Sequence, residues 1–222
     1  IWEVGGVATF PPAQAIQNLS QAKTKVIGMD ILFCDTSAED VVLTQAIEEA
    51  GNVVLSVVGN QPLYVEDSTQ VYESFLLPNP TLRQGAALGH ANVAPDGDGV
   101  VRRLPLIIKD AYDSTYWSLS IVVLCTLFAQ TPPQESAVEN DKLCIMGRVI
   151  PVDSSGNMRI NFSGGPDTYQ RLSYHSVVEG NFDPTVVKHK IVLLGVRANA
   201  EPDLWITPIS PQKMSGVEIH AN

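Results

Sequence analysis

The run Asp96-Gly97-Asp98-Gly99 alternates carboxylates with glycines in the manner of a calcium loop. A loop of the EF-hand kind also needs a third ligand and a downstream bidentate glutamate. Here Arg102 and Arg103 follow instead, and two guanidinium groups repel a divalent cation. The run therefore reads as a tight turn closed by an Asp–Arg pair, with no metal and no cofactor. The two arginines lie in Val100–Ile108, whose flanks are apolar on both faces. A guanidinium buried there requires a carboxylate. Asp96, Asp98, Asp30 and Asp203 are the candidates, and the expectation is that Arg102 or Arg103 is buried and paired. The functional alternative is a clamp for an anionic ligand.

Asp30 sits inside the apolar run Val26–Phe33. In parallel sheets ligands bind beyond the carboxyl ends of the strands. Those ends fall here at Asp30–Cys34, Val58–Asn60 and Gly195–Asn199. The candidate ligand-binding residues are accordingly Asp30, Asn60, Arg102, Arg103 and Arg197. A charge at a strand end is also an ordinary helix cap or loop anchor, so Asp30 carries both readings.

Other chemistry finds little support. The four histidines, His90, His175, His189 and His220, show no H-E-x-x-H or comparable metal spacing. His175-Ser176 lacks the G-x-S-x-G context of a nucleophile elbow. No glycine-rich phosphate loop follows any strand-like run. Cys34, Cys125 and Cys144 are too far apart for a zinc site of usual spacing. One disulfide is left open, although Cys125 and Cys144 lie in runs that suit buried thiols. Trp2, Trp117 and Trp205 are scattered and read as packing or loop anchors. No catalytic residue is assigned.

Fourteen basic residues against twenty-four acidic ones give a net charge of −10. That balance disfavours nucleic acid and anionic membrane surface as partners. With 45% hydrophobic and 17% charged residues, the 222-residue chain suits one sizeable core. Its longest mostly apolar run, Leu119–Ala129, is near half of the ~20 residues a spanning helix needs.

These residues must be positioned by a mixed set of elements. Pro11–Pro12 open a helix through Ile16 and Leu19. Val26–Phe33 is a strand. Ser37–Ala50 is a helix with Ser37 as N-cap and Gly51 as its stop, and Asn52–Val58 is a second strand. The unit favours a parallel pair with a right-handed crossover. Gln61–Pro80 reads as loop and Thr81–Leu88 as a short helix. His90–Ala94 and Val100–Ile108 read as strands joined by the Pro95–Gly99 turn. Ser118–Gln130 is a helix apolar on nearly all sides, hence buried. Lys142–Phe162 is a β-meander, Ser173–Glu179 a short helix and Lys190–Gly195 a buried strand. The stretch up to Pro211 is a proline-rich loop, and Gly216–Asn222 begins a helix. The expected fold is mixed α/β: a partly parallel sheet flanked by helices, with an antiparallel portion from about His90, in a single domain spanning 1–222.

Six of these stretches, in order, resemble the CHASE2 domain. They are Lys25-Val26-Ile27-Gly28-Met29-Asp30-Ile31-Leu32-Phe33, Gly89-His90-Ala91-Asn92-Val93 and the run from Asp96 to Leu106. Ile160-Asn161-Phe162 with Gly165-Pro166, Lys190 to Gly195, and Gly216-Val217-Glu218-Ile219-His220-Ala221-Asn222 complete the set. The Trp- and Pro-rich start of the family is reduced here to Ile1-Trp2 and Pro11–Pro12. The resemblance implies an extracytoplasmic (periplasmic) sensor domain of a bacterial inner-membrane receptor, taken out of a longer chain with membrane helices on both sides. It further implies a cytoplasmic histidine kinase, nucleotide (adenylate) cyclase or Ser/Thr kinase output, and a homodimer in the intact receptor. The signal would be a small molecule or a protein. Two other readings stand beside it. A periplasmic enzyme would need perturbed carboxylates in a cleft, and a structural dimerisation module would show a large apolar face and no pocket.

Overall fold

Val26, Ile27, Gly28 and Met29 are all buried, as expected of a strand covered on both faces. Period-two alternation sends Ile27 and Met29 to one side of the sheet and Val26 to the other, each into a different apolar cluster. The computed structural model describes residues 2–3, 11–63, 69–133, 138–139, 141–195 and 203–222. Along the chain the elements are β1 (Trp2–Glu3), α1 (Pro12–Gln21), β2 (Val26–Asp30), α2 (Asp40–Ala50), β3 (Val53–Leu63), β4 (Gln70–Leu76) and β5 (Ala87–His90). Then follow β6 (Arg103–Pro105), β7 (Ile107–Asp110), β8 (Thr115–Trp117), α3 (Leu119–Leu127), β9 (Val138–Glu139), β10 (Lys142–Ile145), β11 (Arg148–Pro151) and β12 (Asn157–Arg159). The chain continues with β13 (Leu172–Ser173), α4 (Tyr174–Val178), β14 (Ile191–Gly195), β15 (Leu204–Thr207), β16 (Ser210–Ser215) and α5 (Gly216–Ala221).

The main sheet is mixed, as expected. Its order is β13-β1-β14-β2-β3-β4-β7-β8, with β5 also paired to β3. β14, β2, β3 and β5 run parallel, in the registers Val192↔Ile27, Ile27↔Val53 and Val54↔Ala87. The antiparallel part starts with β3–β4 and continues with β7–β8. One face carries α1, α2 and α4 over Ile27, Met29, Leu55 and Leu194. The other carries α3 over Val26, Val54 and Leu193. A third cluster, with Val101, Leu104, Ile160, Met214 and Ile219, lies under α5.

Several sequence expectations are corrected. The strand expected over Val26–Phe33 ends at Asp30. Helix α2 starts at Asp40; Ser37 instead accepts from the Glu39 N–H at 3.2 Å, organising the turn before it. The stretch 61–80 is not all loop: β3 runs on to Leu63, and β4 pairs back onto it. The helix over 81–88 is only a 3-10 turn at Leu82–Gln84, and Ala87–His90 is a strand. His90 and Val100–Ile108 do not form a hairpin: β6 pairs with β12, and β7 with β4 and β8. Strand β12 thereby leaves the meander, which is confined to β9–β11. The proline-rich stretch contains the β15–β16 hairpin. Cys144 is exposed rather than buried, since β10 alternates; all three cysteines are free.

Candidate functional site

The Asp96–Gly99 run is a tight turn. Asp96 N–H donates to the Val100 carbonyl at 3.0 Å, and Gly99 N–H to the Asp96 carbonyl at 2.8 Å. Arg102 Nη1 donates to Asp96 Oδ2 at 2.8 Å and to Asp98 Oδ1 at 3.0 Å, and its Nη2 to Asp98 Oδ2 at 2.8 Å. Those bonds hold the Asp98 carboxyl down at about 2. Both carboxylates are thus committed to the guanidinium that a cation would have to displace. The expected burial of an arginine is corrected. Arg102 is paired but 34% exposed, and Arg103 is 47% exposed, 3.5 Å from Asp153. Val101 and Leu104 take the inward positions instead.

Asp30 ends β2 opposite Gly195. Burial pushes its carboxyl up to about 8, and nearby Asp203 adds to the shift. Among the described residues no hydrogen bond makes it a helix cap. Asn60 lies opposite Ser74 in the β3–β4 pair. The amide that organises this edge is Asn92, which accepts from Gly59 N–H at 2.8 Å and donates to the Gly59 carbonyl at 3.1 Å. Arg197 lies outside the described residues.

A denser polar assembly surrounds α5. Its N-terminus is closed by a capping box: Glu218 Oε2 accepts from the Ser215 hydroxyl at 3.1 Å and from the Ser215 N–H at 3.4 Å. Asp203 accepts from Gly216 N–H at 3.1 Å and Trp205 Nε1 at 2.7 Å. A Cβ at Gly216 would stand 2.5 Å from both Asp203 oxygens, so a side chain there would push the carboxylate away. Glu218 Oε1 accepts from Arg171 Nη2 at 2.6 Å and from Asp167 N–H at 2.9 Å. The Glu218 side chain is 1% exposed and that of Arg171 20%, and Arg171 also pairs with Asp167. Tyr169 Oη donates to the Ala221 carbonyl at 3.0 Å, and Ser163 N–H to Asn222 Oδ1 at 2.8 Å. The segment 163–171 therefore clasps α5 at Glu218, at Ala221 and at its C-cap Asn222.

Two histidines lie behind this clasp. His90, at the end of β5, is fully buried, and His220 on α5 nearly so. Burial holds His90 well below its ordinary range, with His220 adding. It lowers His220 to about 4, against a smaller opposing pull from the Ala91 carbonyl. Ser120 Oγ donates to the His220 carbonyl at 2.9 Å and stands 3.1 Å from His220 Nδ1, tying α3 to α5.

Beside that tie a cavity of about 550 Å³ opens between α3, β14 and α5. Leu106, Leu119, Val123, Leu193 and Ile219 form its apolar wall; Ser120, Tyr169, His220 and Asn222 supply polar atoms, and Lys190 stands at its edge. Asp30, Asn60, Arg102 and Arg103 are not among the lining residues.

Reasoning from charges in apolar runs missed Glu218, His220, His90 and Arg171. The signal available for three of them was the pair of stretches Gly89–Val93 and Gly216–Asn222, where a glutamate and two histidines stand among small and apolar residues. Nothing local marks Arg171, 47 positions from its partner.

A family model described as the CHASE2 domain matches residues 12–222. Searches among curated proteins and among solved structures gave no match.

Proposed function

The chain belongs to the CHASE2 domain family, whose members are extracytoplasmic sensory domains, and on that premise we propose that it is the sensing part of a bacterial inner-membrane receptor. In this reading membrane helices flank the domain. A cytoplasmic histidine kinase, nucleotide cyclase or Ser/Thr kinase receives the signal, and two copies of the receptor pair. The observation that supports it is the construction around α5. A six-residue helix is held by a buried ion pair, a capping box and backbone clasps from 163–171, and it forms one wall of a cavity. A molecule entering the cavity acts only by its different affinity for two positions of that wall. The shift of α5 is then passed toward the membrane.

The enzyme reading is disfavoured by position. The carboxyl with a raised pKa, Asp30, with Asp203 beside it, does not line the cavity. Cross-linking tests the paired-receptor reading. Single cysteines placed at successive positions following Asn222 in the full-length receptor should cross-link between chains with helical periodicity. If no such position ever cross-links, with or without stimulus, transmission through a paired α5 is wrong.

A further inference from the structure

The walls of the cavity beside α5 are held in different ways. Helix α3 is seated against the sheet over two glycines. A Cβ at Gly89 would stand 2.8 Å from the Leu119 Cα, and one at Gly28 would stand 3.0 Å from a Val123 methyl. Both contacts leave α3 no room to approach further. The opposite wall, α5, packs through Val217 over Gly195 and through Ile219 into the third cluster, and polar contacts at its rim hold it in addition.

The polar atoms reaching the cavity are largely engaged within the protein. The Ser120 hydroxyl donates to the His220 carbonyl, Tyr169 Oη to the Ala221 carbonyl, and Asn222 Nδ2 to the Glu218 carbonyl. Among the described lining residues there is no carboxylate, and the one lysine, Lys190, is exposed. His220 is buried and tied to Ser120. A charged group brought inside would lose its hydration without gaining a counter-ion. Carbon walls with no facing atoms forfeit dispersion contacts that an apolar occupant restores. The volume falls in the range of small-molecule sites, roughly 300–1,000 Å³.

From this we infer that the cavity between α3, β14 and α5 is a ligand site for an uncharged, mostly apolar small molecule carrying at most one or two hydrogen-bonding groups. The inference deepens the sensory reading and rests on it for its biological meaning. Binding itself is measurable on this chain without any receptor output, so either idea can fail alone. An occupant that fills the space touches α3, β14 and α5 at once, which couples occupancy to the seat of α5.

The test uses 1-decanol, decanoate and decylammonium, three probes of one chain length, titrated calorimetrically into the protein. Decanol should bind with one-to-one stoichiometry, and the two charged probes at least about tenfold more weakly, a factor worth about 1.4 kcal/mol. Leu124→Trp and Ile191→Trp each place a large ring at an exposed lining position and should each weaken decanol at least about tenfold. Val41→Trp, on the exposed face of α2, should not. Using two blocking variants guards against one of them misfolding, which melting curves reveal. Decanoate binding as tightly as decanol overturns the inference. So does decanol binding that both tryptophan variants leave intact. A third contrary result is no decanol binding at all, with sedimentation showing that the tryptophans change self-association, which marks this face as an interface between copies.

Discussion

Glu218 is the most deeply buried carboxylate of the clasp, and it is served by Arg171, Asp167 N–H and Ser215. Removing one partner of a buried pair costs about 3–5 kcal/mol, because the other is left uncompensated. The two halves are unequal here. Arg171 retains Asp167 when Glu218 is neutralised, whereas Glu218 loses its cation when Arg171 goes. Urea denaturation should therefore show Arg171→Met losing stability in that range and Glu218→Gln losing less. Arg102→Ala, at an exposed pair, should leave the midpoint near that of the parent. Equal losses in the two clasp variants would contradict the asymmetry. The buried titratable groups set a pH profile. His220 titrates near 4 in the fold against 6.5 ordinarily, so the unfolded chain takes up a proton that the fold refuses. Stability falls as pH drops from 6.5 toward 4, by about 3 kcal/mol for His220, and His90 adds in the same direction. Asp30 works oppositely. Titrating near 8 instead of 3.8, it keeps a proton that the unfolded chain has lost, and its contribution declines as pH rises from 4 to 8. Two histidines outweigh one aspartate below 6.5, and Asp30 acts alone above it. Stability should peak near pH 6.5, and Asp30→Asn should remove the decline on the alkaline side. A parent profile still rising between 6.5 and 8 would refute this assignment.

At the scale of elements, the parallel unit β2–α2–β3, the apolar helix α3 and the short helices α4 and α5 follow patterns visible in the residues. Val26–Met29 is continuously apolar, Gly51 stops α2 with φ of 64°, and Ser118 and Ser173 accept from the first-turn N–H groups of Ile121 and Ser176. What escaped was strand built from polar or proline-bearing sequence. β4 is Gln-Val-Tyr-Glu-Ser-Phe-Leu, and it is ordered by pairing to the extension of β3 through Asn60, Gln61 and Pro62. β16 contains Pro211, which is tolerated because β16 pairs on one side only, with β15. The site escaped for a related reason. Charge within an apolar run picked out Asp30, Arg102 and Arg103, but tertiary contact assembles the clasp from segments some fifty residues apart. The seat of α3 gives a direct check. Gly89→Ala drives a methyl toward the Leu119 backbone, which has no rotamer to yield, and should cost about 1–3 kcal/mol. Gly97→Ala, where a Cβ meets nothing within 4 Å, is the comparison. Equal melting temperatures for the two variants would show that α3 is not tightly seated.

Across the whole molecule, the three apolar clusters divide the labour. Two lie on opposite faces of the main sheet, one of them bringing in α3, and the third supports α5 together with the β15–β16 hairpin. Besides its packing over Gly195 of β14, α5 meets the rest through the clasp from 163–171 and the Ser120–His220 tie. A sensory domain needs an element that two states of the core can hold differently. By this account that element is α5, and its restraint by Arg171 and Glu218 sets the resting state of the receptor. On the proposed receptor reading, the direct test is the output of its cytoplasmic module, per receptor, in membranes carrying the full-length protein. Parent, Arg171→Met, Glu218→Gln and Arg102→Ala are compared without added stimulus. The account predicts that both clasp variants shift basal output in the same direction, by at least about fivefold, while Arg102→Ala stays at the parent level. Clasp variants that are folded, present in parental amounts and indistinguishable from the parent in output would contradict it.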